Sequence, residues 1–255
     1  MPGIELSTSF LERSKTLQSR DELALLLEEV TLALGFSYFA LVHHTDLRQA
    51  GQQSIQIHNY PNSWATRFIE DGMHAEDPVH QACLRSNVGF AWSELSSLIP
   101  LTRRQRTILD DASRHGLKFG FTTPANVPGE YGSCSFASDR ELQPSGETLM
   151  LAQMIGGFAY QAARRLQAID STDHRVAPRL TRRQHDCLLF AIRGKTDWEI
   201  SRILGLSEET VSQHLSMARA RYGVVKRLQL AAHAILDGEV NLIEALSTQV
   251  PLKRE

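Results

Sequence analysis

The sequence predicts two domains: an α/β domain, an α-β-α sandwich built on an antiparallel sheet, followed by an all-α helix-turn-helix domain. Three observations support this prediction. Short segments rich in aromatic and branched residues alternate with amphipathic helical patterns in the first part of the chain. A polar stretch without periodicity, residues 170–178, follows them and is typical of a linker. Beyond it, short capped helices succeed one another around a glycine-containing turn.

The composition is that of a globular protein, with 42% hydrophobic and 22% charged residues in a chain of 255. The formal net charge of -2 hides an asymmetry. Residues 175–255 carry 13 Lys and Arg against 9 Asp and Glu, whereas residues 1–174 carry 14 against 20. This difference favours a polyanionic partner for the C-terminal part.

Cysteine usage and hydropathy indicate a soluble cytoplasmic protein. Cys83, Cys134 and Cys187 are odd in number and widely separated, which argues against a disulfide framework or a zinc site. We therefore expect no metal and no cofactor. The N-terminus lacks the apolar segment of a secretion signal, and no stretch approaches the ~20 apolar residues of a membrane span, so we expect no membrane partner.

The first domain opens with a helix over residues 20–34, whose leucines recur at helical spacing and which ends at Gly35. The following segments alternate between strand and helix patterns, an order that places helices on both faces of one sheet. In sequence they are strands over 37–44 and 54–58, helices over 61–71, 77–86 and 102–115, and strands over 118–125 and 131–137.

A long helix over residues 145–168 completes this domain. It carries a narrow stripe of small or apolar residues: Leu149, Ala152, Gly156, Ala159 and Ala163. Such a stripe suits close approach by another helix, so it is either a dimer seam or a surface that packs on the domain's own sheet.

The stretch from Asn59 to Trp92 combines aromatic side chains with polar groups. If Pro61 lies in the first turn of a helix, Tyr60, Trp64 and Phe68 share one face. The Tyr60 hydroxyl and the Trp64 indole N–H need acceptors when buried, and Asp77 is an acceptor. Two donors and one acceptor beside an aromatic wall suit an acylated amide. The alternative is a packed core helix, with the carboxylate serving only as an N-cap.

The C-terminal helices are marked by their caps. Thr181 can cap the first helix, and Thr196 with Glu199 forms a capping box that opens the second. Gly205 makes the turn, and Ser207 caps the third helix. The residues expected to be buried on this third helix are Val211, Leu215, Ala218 and Tyr222. Two short helices around such a turn make a helix-turn-helix, whose second helix enters the DNA major groove.

The exposed side of this recognition helix carries the predicted DNA contacts. Gln213 can pair with adenine through two hydrogen bonds, and Ser212 or Ser216 can reach either base type. The alternative is a solvated face of an ordinary three-helix bundle. The cations placed for phosphate contact are Lys195, Arg219, Arg221, Lys226 and Arg227.

Several separated positions match one family of regulators. In the first domain they are Tyr60, Trp64, Asp77-Pro78, Trp92 and Gly120. In the second they are Leu180-Thr181, Leu188, Gly194-Lys195-Thr196, Glu199-Ile200, Ser207-Glu208, Thr210-Val211 and His214. With these residues the chain resembles the LuxR-type quorum-sensing transcriptional regulators, which join an acyl-homoserine-lactone-binding domain to a helix-turn-helix shared with NarL-like regulators.

The resemblance implies four regions and several partners. It places an autoinducer-binding domain at residues 1–169, a linker at 170–178, a DNA-binding domain at 179–242 and a C-terminal extension at 243–255. It implies a homodimer that binds an N-acyl homoserine lactone and a two-fold promoter site on double-stranded DNA, with RNA polymerase as a further partner. It also adds Thr210 and His214 to the DNA-binding residues.

The resemblance also assigns roles in the pocket. Trp64 would donate to the lactone carbonyl, Tyr60 would donate to the acyl carbonyl, and Asp77 would accept from the amide N–H. Trp92 would pack against the lactone ring. Gly120 would allow close approach of the backbone.

Three further positions bear on specificity. Ser135 matches a position where Ser or Thr touches the acyl group. Phe68 stands where the family usually has Tyr, which keeps the aromatic wall but removes one hydroxyl. Gln184 stands where the DNA-binding domain usually has Glu, which keeps hydrogen-bonding reach without the charge.

Two alternatives remain open at this point. The chain could be an orphan LuxR-type regulator that senses a different small molecule, or a NarL-like response regulator with a phosphoacceptor domain. The latter needs a parallel sheet, which the strand pattern does not favour. An enzyme such as a lactonase is not expected, because His43 and His44, adjacent on one strand, point to opposite faces and cannot chelate one metal together.

Overall fold

The computed structural model describes residues 2–44, 55–127, 130–170 and 178–246. The chain divides into two units, Met1–His174 and Arg175–Glu255. Of the predicted linker, residues 171–177 lie outside the described part, as do residues 247–255 of the predicted C-terminal extension. No helix in the described ranges has the length and apolar character needed to cross a bilayer.

The first unit is built on one sheet of five strands: β1 (Tyr38–His43), β2 (Gln56–His58), β3 (Phe90–Ala91), β4 (Phe119–Pro124) and β5 (Gly132–Ser138). Their spatial order is β2-β1-β5-β4-β3. Every pairing between these strands is antiparallel. The antiparallel sheet predicted from the sequence is therefore confirmed, and a parallel phosphoacceptor domain is excluded.

Helices cover both faces of this sheet, as the order of elements predicts. The helices are α1 (Pro2–Thr16), α2 (Arg20–Ala33), α3 (Asn62–Glu70), α4 (Pro78–Cys83), α5 (Leu95–Leu98), α6 (Arg103–Arg114) and α7 (Gly146–Asp170). Three of them, α1, α2 and α7, share one apolar core with the sheet. Residues of α3 and α6 pack with the other face, and α4 forms a further cluster beside them.

The two faces of the sheet carry side chains of different size. Leu41 and Phe136 point into the core under α1, α2 and α7, where both are fully buried. Their neighbours Ala40, Ser135 and Ala137 point to the opposite face, because successive side chains of a strand alternate between faces. The large side chains fill one layer, whereas the small ones leave room on the other.

The small-residue stripe of α7 packs on the sheet of its own domain. Its core members are Ala152, Ala159 and Ala163, with Leu149 partly buried beside them. At Gly156 an added Cβ would lie 2.9 Å from Thr123 Cβ, closer than ordinary packing allows. Of the two readings of this stripe, the structure supports packing on the sheet.

Polar contacts fix α7 in the same place. Arg165 donates to two backbone carbonyls at and just beyond the end of α1, at 3.1 and 2.7 Å. Arg164 donates from Nε to Glu130 Oε2 at 2.7 Å, and His43 Nε2 lies 3.6 Å from the same oxygen. The interactions with His43 and Arg164 lower the pKa of Glu130 to about 2, against the opposing effect of its partial burial. These contacts join α7 to α1 and to the sheet.

The second unit is entirely helical in its described residues. Its helices enclose one apolar core that includes all four recognition-helix residues predicted to be buried. The helices are α8 (Arg182–Ile192), α9 (Asp197–Leu204), α10 (Glu208–Tyr222), α11 (Arg227–Leu236) and α12 (Leu242–Leu246). Gly205 adopts a left-handed φ of 67°, which allows the sharp turn between α9 and α10.

The predicted caps of this unit are present. Thr181 Oγ1 accepts from Gln184 N, and Gln184 Oε1 accepts from Thr181 N at 3.1 Å, so glutamine completes the capping box as glutamate would. Thr196 and Glu199 form the same reciprocal pair at the start of α9. Ser207 Oγ accepts from the third residue of α10 at 3.1 Å.

The start of α3 differs from the prediction. Pro61 is the N-cap, with φ -52° and ψ 129°, and the helix begins at Asn62, so Tyr60 lies outside it. The reason is that Asn59 ties the chain to β1: its Oδ1 accepts from Phe39 N at 2.7 Å, and its Nδ2 donates to a backbone carbonyl. The chain therefore leaves the sheet extended. Tyr60 reaches the helix side from a loop, rather than from a shared helical stripe.

Several elements have no counterpart among the sequence predictions: α1, β3, α5, α11 and α12. Two of them, β3 and α5, are two and four residues long and too short to show a periodicity. The predicted helix over 77–86 ends early, at Cys83, where Asn126 Nδ2 donates to the backbone carbonyl at 2.8 Å. The three cysteines are buried and free.

Adjacent glycines on α7 give a matched test of its packing. Gly157 is exposed with open space around its Cα, so we expect Gly157→Ala to raise the free energy of unfolding by about 0.5–1 kcal/mol through helix propensity. Gly156→Ala should lower it, since the new methyl group meets the branched Thr123 side chain. Denaturant titration of both variants measures this difference, and equal effects would contradict the packing described.

Candidate functional site

A pocket lies between the small-residue face of the sheet and helices α3, α4 and α6. It encloses about 820 Å³ of empty space, a figure that includes the open solvent at its mouth. Most of its wall is apolar. The aliphatic lining residues are Ala40, Val42, Ala65, Ile69, Val79, Ile108, Leu109, Ala112 and Leu117.

The three polar groups singled out from the sequence meet in this pocket: Tyr60, Trp64 and Asp77 all line it. Trp64 is 4% exposed, and its indole N–H donates to no group within the described residues. Burial raises the pKa of the Tyr60 phenol, and the nearby Asp77 carboxylate raises it further, so this hydroxyl stays protonated and can donate. Asp77 is 9% exposed. Tyr60 and Trp64 thus supply two donors to the pocket, and Asp77 supplies an acceptor.

Asp77 is also the N-cap of α4, the role given by the competing reading of the sequence. Its Oδ1 accepts from Val79 N at 2.9 Å. The second oxygen, Oδ2, lies 3.3 Å from His80 Nε2. Capping and pocket lining are therefore compatible, because they use different lone pairs of one carboxylate.

A chain of hydroxyl groups supports the wall beside Tyr60. Trp92 Nε1 donates to Thr122 Oγ1 at 2.9 Å, and Thr122 Oγ1 lies 2.8 Å from Ser135 Oγ. The Tyr60 phenol in turn interacts with Ser135. Because Thr122 and Ser135 are directly opposite on paired strands, the sheet register positions this chain. It fixes the Trp92 indole against the pocket.

Gly120 lies under the indole ring of Trp92. It is not among the residues that line the pocket. A Cβ at this position would fall 2.4 Å from Trp92 Cε2 and 2.5 Å from Cδ2. The close approach that the sequence implies is therefore made by the indole ring, which packs directly over the backbone of β4.

Phe68 forms the wall between α3 and α4. Its ring centroid lies 5.4 Å from that of Trp64 and 6.1 Å from that of His80, which it meets edge-on at 89°. Two more polar side chains, Gln56 and His58, line the pocket from β2. Partial burial lowers the pKa of His58, so its neutral form is favoured.

His43, the last residue of β1, and His44, which follows it, point to opposite faces, as predicted. His43 packs edge-on against Tyr160 on the α7 side, with ring centroids 5.5 Å apart. His44 stacks on His80 on the pocket side, with centroids 3.9 Å apart and the rings inclined by 22°. The two imidazoles therefore lie in different environments, one on each side of the sheet.

Sequence reasoning missed Thr122 and His80. His80 follows Asp77 by three residues on a capped helix, a spacing that puts both on one face, so this signal was available. Thr122 could not be found in this way, because its importance depends on which residue of β5 lies opposite. The predicted residues that the pocket brings together are Tyr60, Trp64, Phe68, Asp77, Trp92 and Ser135.

The predicted DNA-facing residues lie on the exposed side of α10 and around its ends. Ser212 and Gln213 are exposed, and their side chains form no hydrogen bond within the part of the chain described. Ser216 accepts from Arg219, which also donates to the Val225 carbonyl at 2.8 Å. Thr210 Oγ1 lies 2.8 Å from the hydroxyl of the N-cap, and His214 is partly buried.

The other predicted phosphate contacts are exposed cations, most of them held by neighbouring groups. Lys195 pairs with Glu199 at 3.1 Å. Arg221 donates to a backbone carbonyl at 3.0 Å, and Arg227 pairs with Asp197. Lys226 is exposed at the start of α11. These pairs lie on the surface and are weak, so the cations stay available to an anion.

A pocket-bearing α/β domain joined to a capped helix-turn-helix defines a ligand-responsive regulator of transcription. Residues 19–163 match the autoinducer binding domain, and residues 178–234 match the luxR family of bacterial regulatory proteins. The chain therefore belongs to the LuxR family of quorum-sensing transcriptional regulators, a family of regulators and not of enzymes.

Individual relatives agree with this assignment. The chain is 28% identical over 236 residues to the transcriptional activator protein VanR of Vibrio anguillarum, covering 91% of this chain and 96% of VanR. Its fold resembles the crystal structure of Escherichia coli SdiA, with a TM-score of 0.67 and 23% identity over 92% of this chain and 98% of SdiA. It also resembles CepR2 of Burkholderia cenocepacia, described as N-acylhomoserine lactone dependent, with a TM-score of 0.50 and 15% identity over 67% of this chain and 99% of that one.

Thr122→Val tests the hydroxyl chain. The substitution keeps the shape but leaves the Trp92 N–H and the Ser135 hydroxyl without their shared partner, so we expect a loss of about 1–3 kcal/mol in the free energy of unfolding. Thr122→Ser, which keeps the hydroxyl, is the control and should lose less. Denaturant titration followed by tryptophan fluorescence gives both values. Equal stability of Thr122→Val and the unmodified protein would show that these contacts are not stabilising.

Proposed function

We propose that this regulator binds an N-acyl homoserine lactone in the pocket of its first domain and recognises a two-fold DNA site as a homodimer. The observation that carries the proposal is the convergence of Tyr60, Trp64 and Asp77 in one mostly apolar pocket. Acting on promoter DNA, the protein works in the bacterial cytoplasm.

The chemistry of the pocket fits each part of such a ligand. The Trp64 indole N–H donates to the lactone carbonyl, the Tyr60 hydroxyl donates to the acyl carbonyl, and Asp77 accepts from the amide N–H. The last of these bonds is charge-assisted in a largely dry site, which makes it strong. Trp92 covers the lactone ring. The aliphatic wall takes the acyl chain, whose burial supplies the non-directional part of the affinity.

The DNA half of the proposal rests on the second unit. Gln213 and Ser212 are presented to solvent on a helix whose opposite side is fully buried, the arrangement that places side chains against base edges. A helix-turn-helix reads a short half-site, so a homodimer reads two related by two-fold symmetry. At the promoter the DNA-bound dimer meets RNA polymerase, the further partner we propose.

Ligand binding gives the regulator a physical means of response. A ligand that binds only the folded domain stabilises it by mass action, by about 2.7 kcal/mol at a hundredfold excess over its dissociation constant. The folded, dimeric population that can bind DNA then rises with the ligand concentration.

Thermal unfolding tests the ligand assignment. A saturating N-acyl homoserine lactone should raise the melting temperature by about 5–10 °C. Tyr60→Phe removes one donor and should weaken binding about tenfold. Tyr131→Phe removes a hydroxyl from an exposed residue outside the pocket and is the matched control. A regulator of a different small molecule would show no shift with any N-acyl homoserine lactone.

Two substitutions test DNA binding, and their effects on DNA affinity should differ in kind. Gln213→Ala should cost about 1–3 kcal/mol on the preferred operator and relax base preference at one position. Lys226→Ala should weaken binding to all sequences alike and reduce the slope of log affinity against log salt by about one. Fluorescence anisotropy at several salt concentrations measures both. Loss of equal size on operator and random DNA for Gln213→Ala would rule out its role in base recognition.

A further inference from the structure

The Asp77 carboxylate has two oxygens with different partners. Oδ1 accepts from Val79 N at 2.9 Å and thereby caps α4. This bond alone leaves the carboxylate free to turn, because a single hydrogen bond does not fix the orientation of its plane. The group is 9% exposed, so a second partner is needed to compensate for the lost hydration.

His80 supplies that second partner. Its Nε2 lies 3.3 Å from Asp77 Oδ2, one helical turn along α4. The imidazole itself lines the pocket, so it stands beside the ligand space as well as beside the carboxylate. The Asp77 side chain is thus held from two sides, by a backbone N–H and by a ring nitrogen.

The His80 ring is in turn fixed by its neighbours. One face stacks on His44, with ring centroids 3.9 Å apart. Phe68 meets it edge-on, at 6.1 Å and 89°. His44 is anchored by a contact of 2.9 Å between its Nε2 and Ser133 Oγ on β5. The imidazole that touches the carboxylate therefore has little freedom to swing away.

The helix that carries both residues is also held in place. Gln105 Nε2, on α6, donates to Gln81 Oε1 at 2.8 Å. Asn126 Nδ2 donates to the Cys83 carbonyl at the other end of the helix. These two hydrogen bonds hold α4 in place. The relative position of the Asp77 and His80 side chains therefore depends on the contacts of these side chains and not on movement of the helix.

We propose that His80 is a positioning residue for ligand recognition: it orients the Asp77 carboxylate so that a lone pair of this group points to the amide N–H of the bound ligand. The proposal rests on the proposed function, since it assumes a ligand with an amide N–H. His80 acts through Asp77, and its effect is therefore specific to ligands that use this bond.

The stack with His44 suits this role electrostatically. Burial, together with the nearby His80 and His43, lowers the pKa of His44 well below its ordinary value, so His44 is neutral near neutral pH. His44 therefore stacks on His80 as a neutral ring, while His80 Nε2 faces the Asp77 carboxylate.

The test compares two probes that differ in one group: N-octanoyl homoserine lactone and the corresponding octanoate ester, in which oxygen replaces the amide N–H. Their dissociation constants are measured on the full-length protein by quenching of tryptophan fluorescence. The ratio of the two constants is the readout, because changes in pocket shape or in overall stability affect both probes alike. For the unmodified protein we expect the amide to bind about tenfold more tightly or better.

Three variants separate positioning from packing. His80→Phe keeps an aromatic ring to stack on His44 but loses Nε2, and should reduce the amide-to-ester preference about tenfold. His80→Gln retains an N–H at a similar reach and should keep most of the preference. His185→Leu removes an imidazole from α8 in the second unit, outside the pocket, and should leave the ratio unchanged. His80→Leu serves where the phenylalanine variant does not fold.

The outcomes distinguish the two proposals. If the unmodified protein binds the amide probe with the expected preference but His80→Phe and His80→Leu weaken both probes by the same factor, His80 only fills the wall and the positioning role is overturned. If the unmodified protein binds neither this amide nor any other N-acyl homoserine lactone, the proposed function itself is overturned. Loss of the preference in His80→Phe with its retention in His80→Gln supports the inference.

Discussion

The alternation of side-chain size across the sheet is the constraint on which the first domain depends. A strand sends successive residues to opposite faces, so one sequence has to satisfy two environments. Phe39 and Phe136 fill the core beneath α1, α2 and α7. Ala40 and Ser135, one position away, leave the opposite layer incomplete. The pocket is the volume that these small residues do not fill.

This arrangement separates stability from recognition. The filled face buries most of the large apolar side chains of the domain, and burial of that kind is the main favourable contribution to folding. The open face can then hold polar groups that a packed core would not tolerate. Trp64 and Asp77 are nearly buried, yet their hydrogen-bonding capacity is only partly used within the described residues. A ligand with matching groups satisfies what remains.

One residue can contribute to both structure and function when different atoms of its side chain make the two sets of contacts. Asp77 begins α4 through one oxygen and meets His80 through the other. Trp92 packs over Gly120 with its ring and donates to Thr122 with its nitrogen. In both cases the site residue is held by contacts that exist before any ligand binds, which reduces the ordering cost of binding.

The sequence by itself determined the elements whose signals are local. The caps of the helix-turn-helix join residues three apart, such as Thr196 and Glu199, so they can be read directly and the structure confirms them. The resemblance to known regulators added Gly120 and Ser135 and assigned roles to the pocket residues already singled out. Only the tertiary structure decided contacts between distant residues: Thr122 meets Ser135 across 13 residues, and His44 meets Ser133 across 89. Such pairs depend on strand register and on the packing of α4 against the sheet, which no local pattern specifies. For the same reason the sequence did not decide whether the α7 stripe is a dimer seam or a surface that packs on the domain's own sheet. The close approach of Thr123 to Gly156 in the tertiary structure supports packing on the sheet.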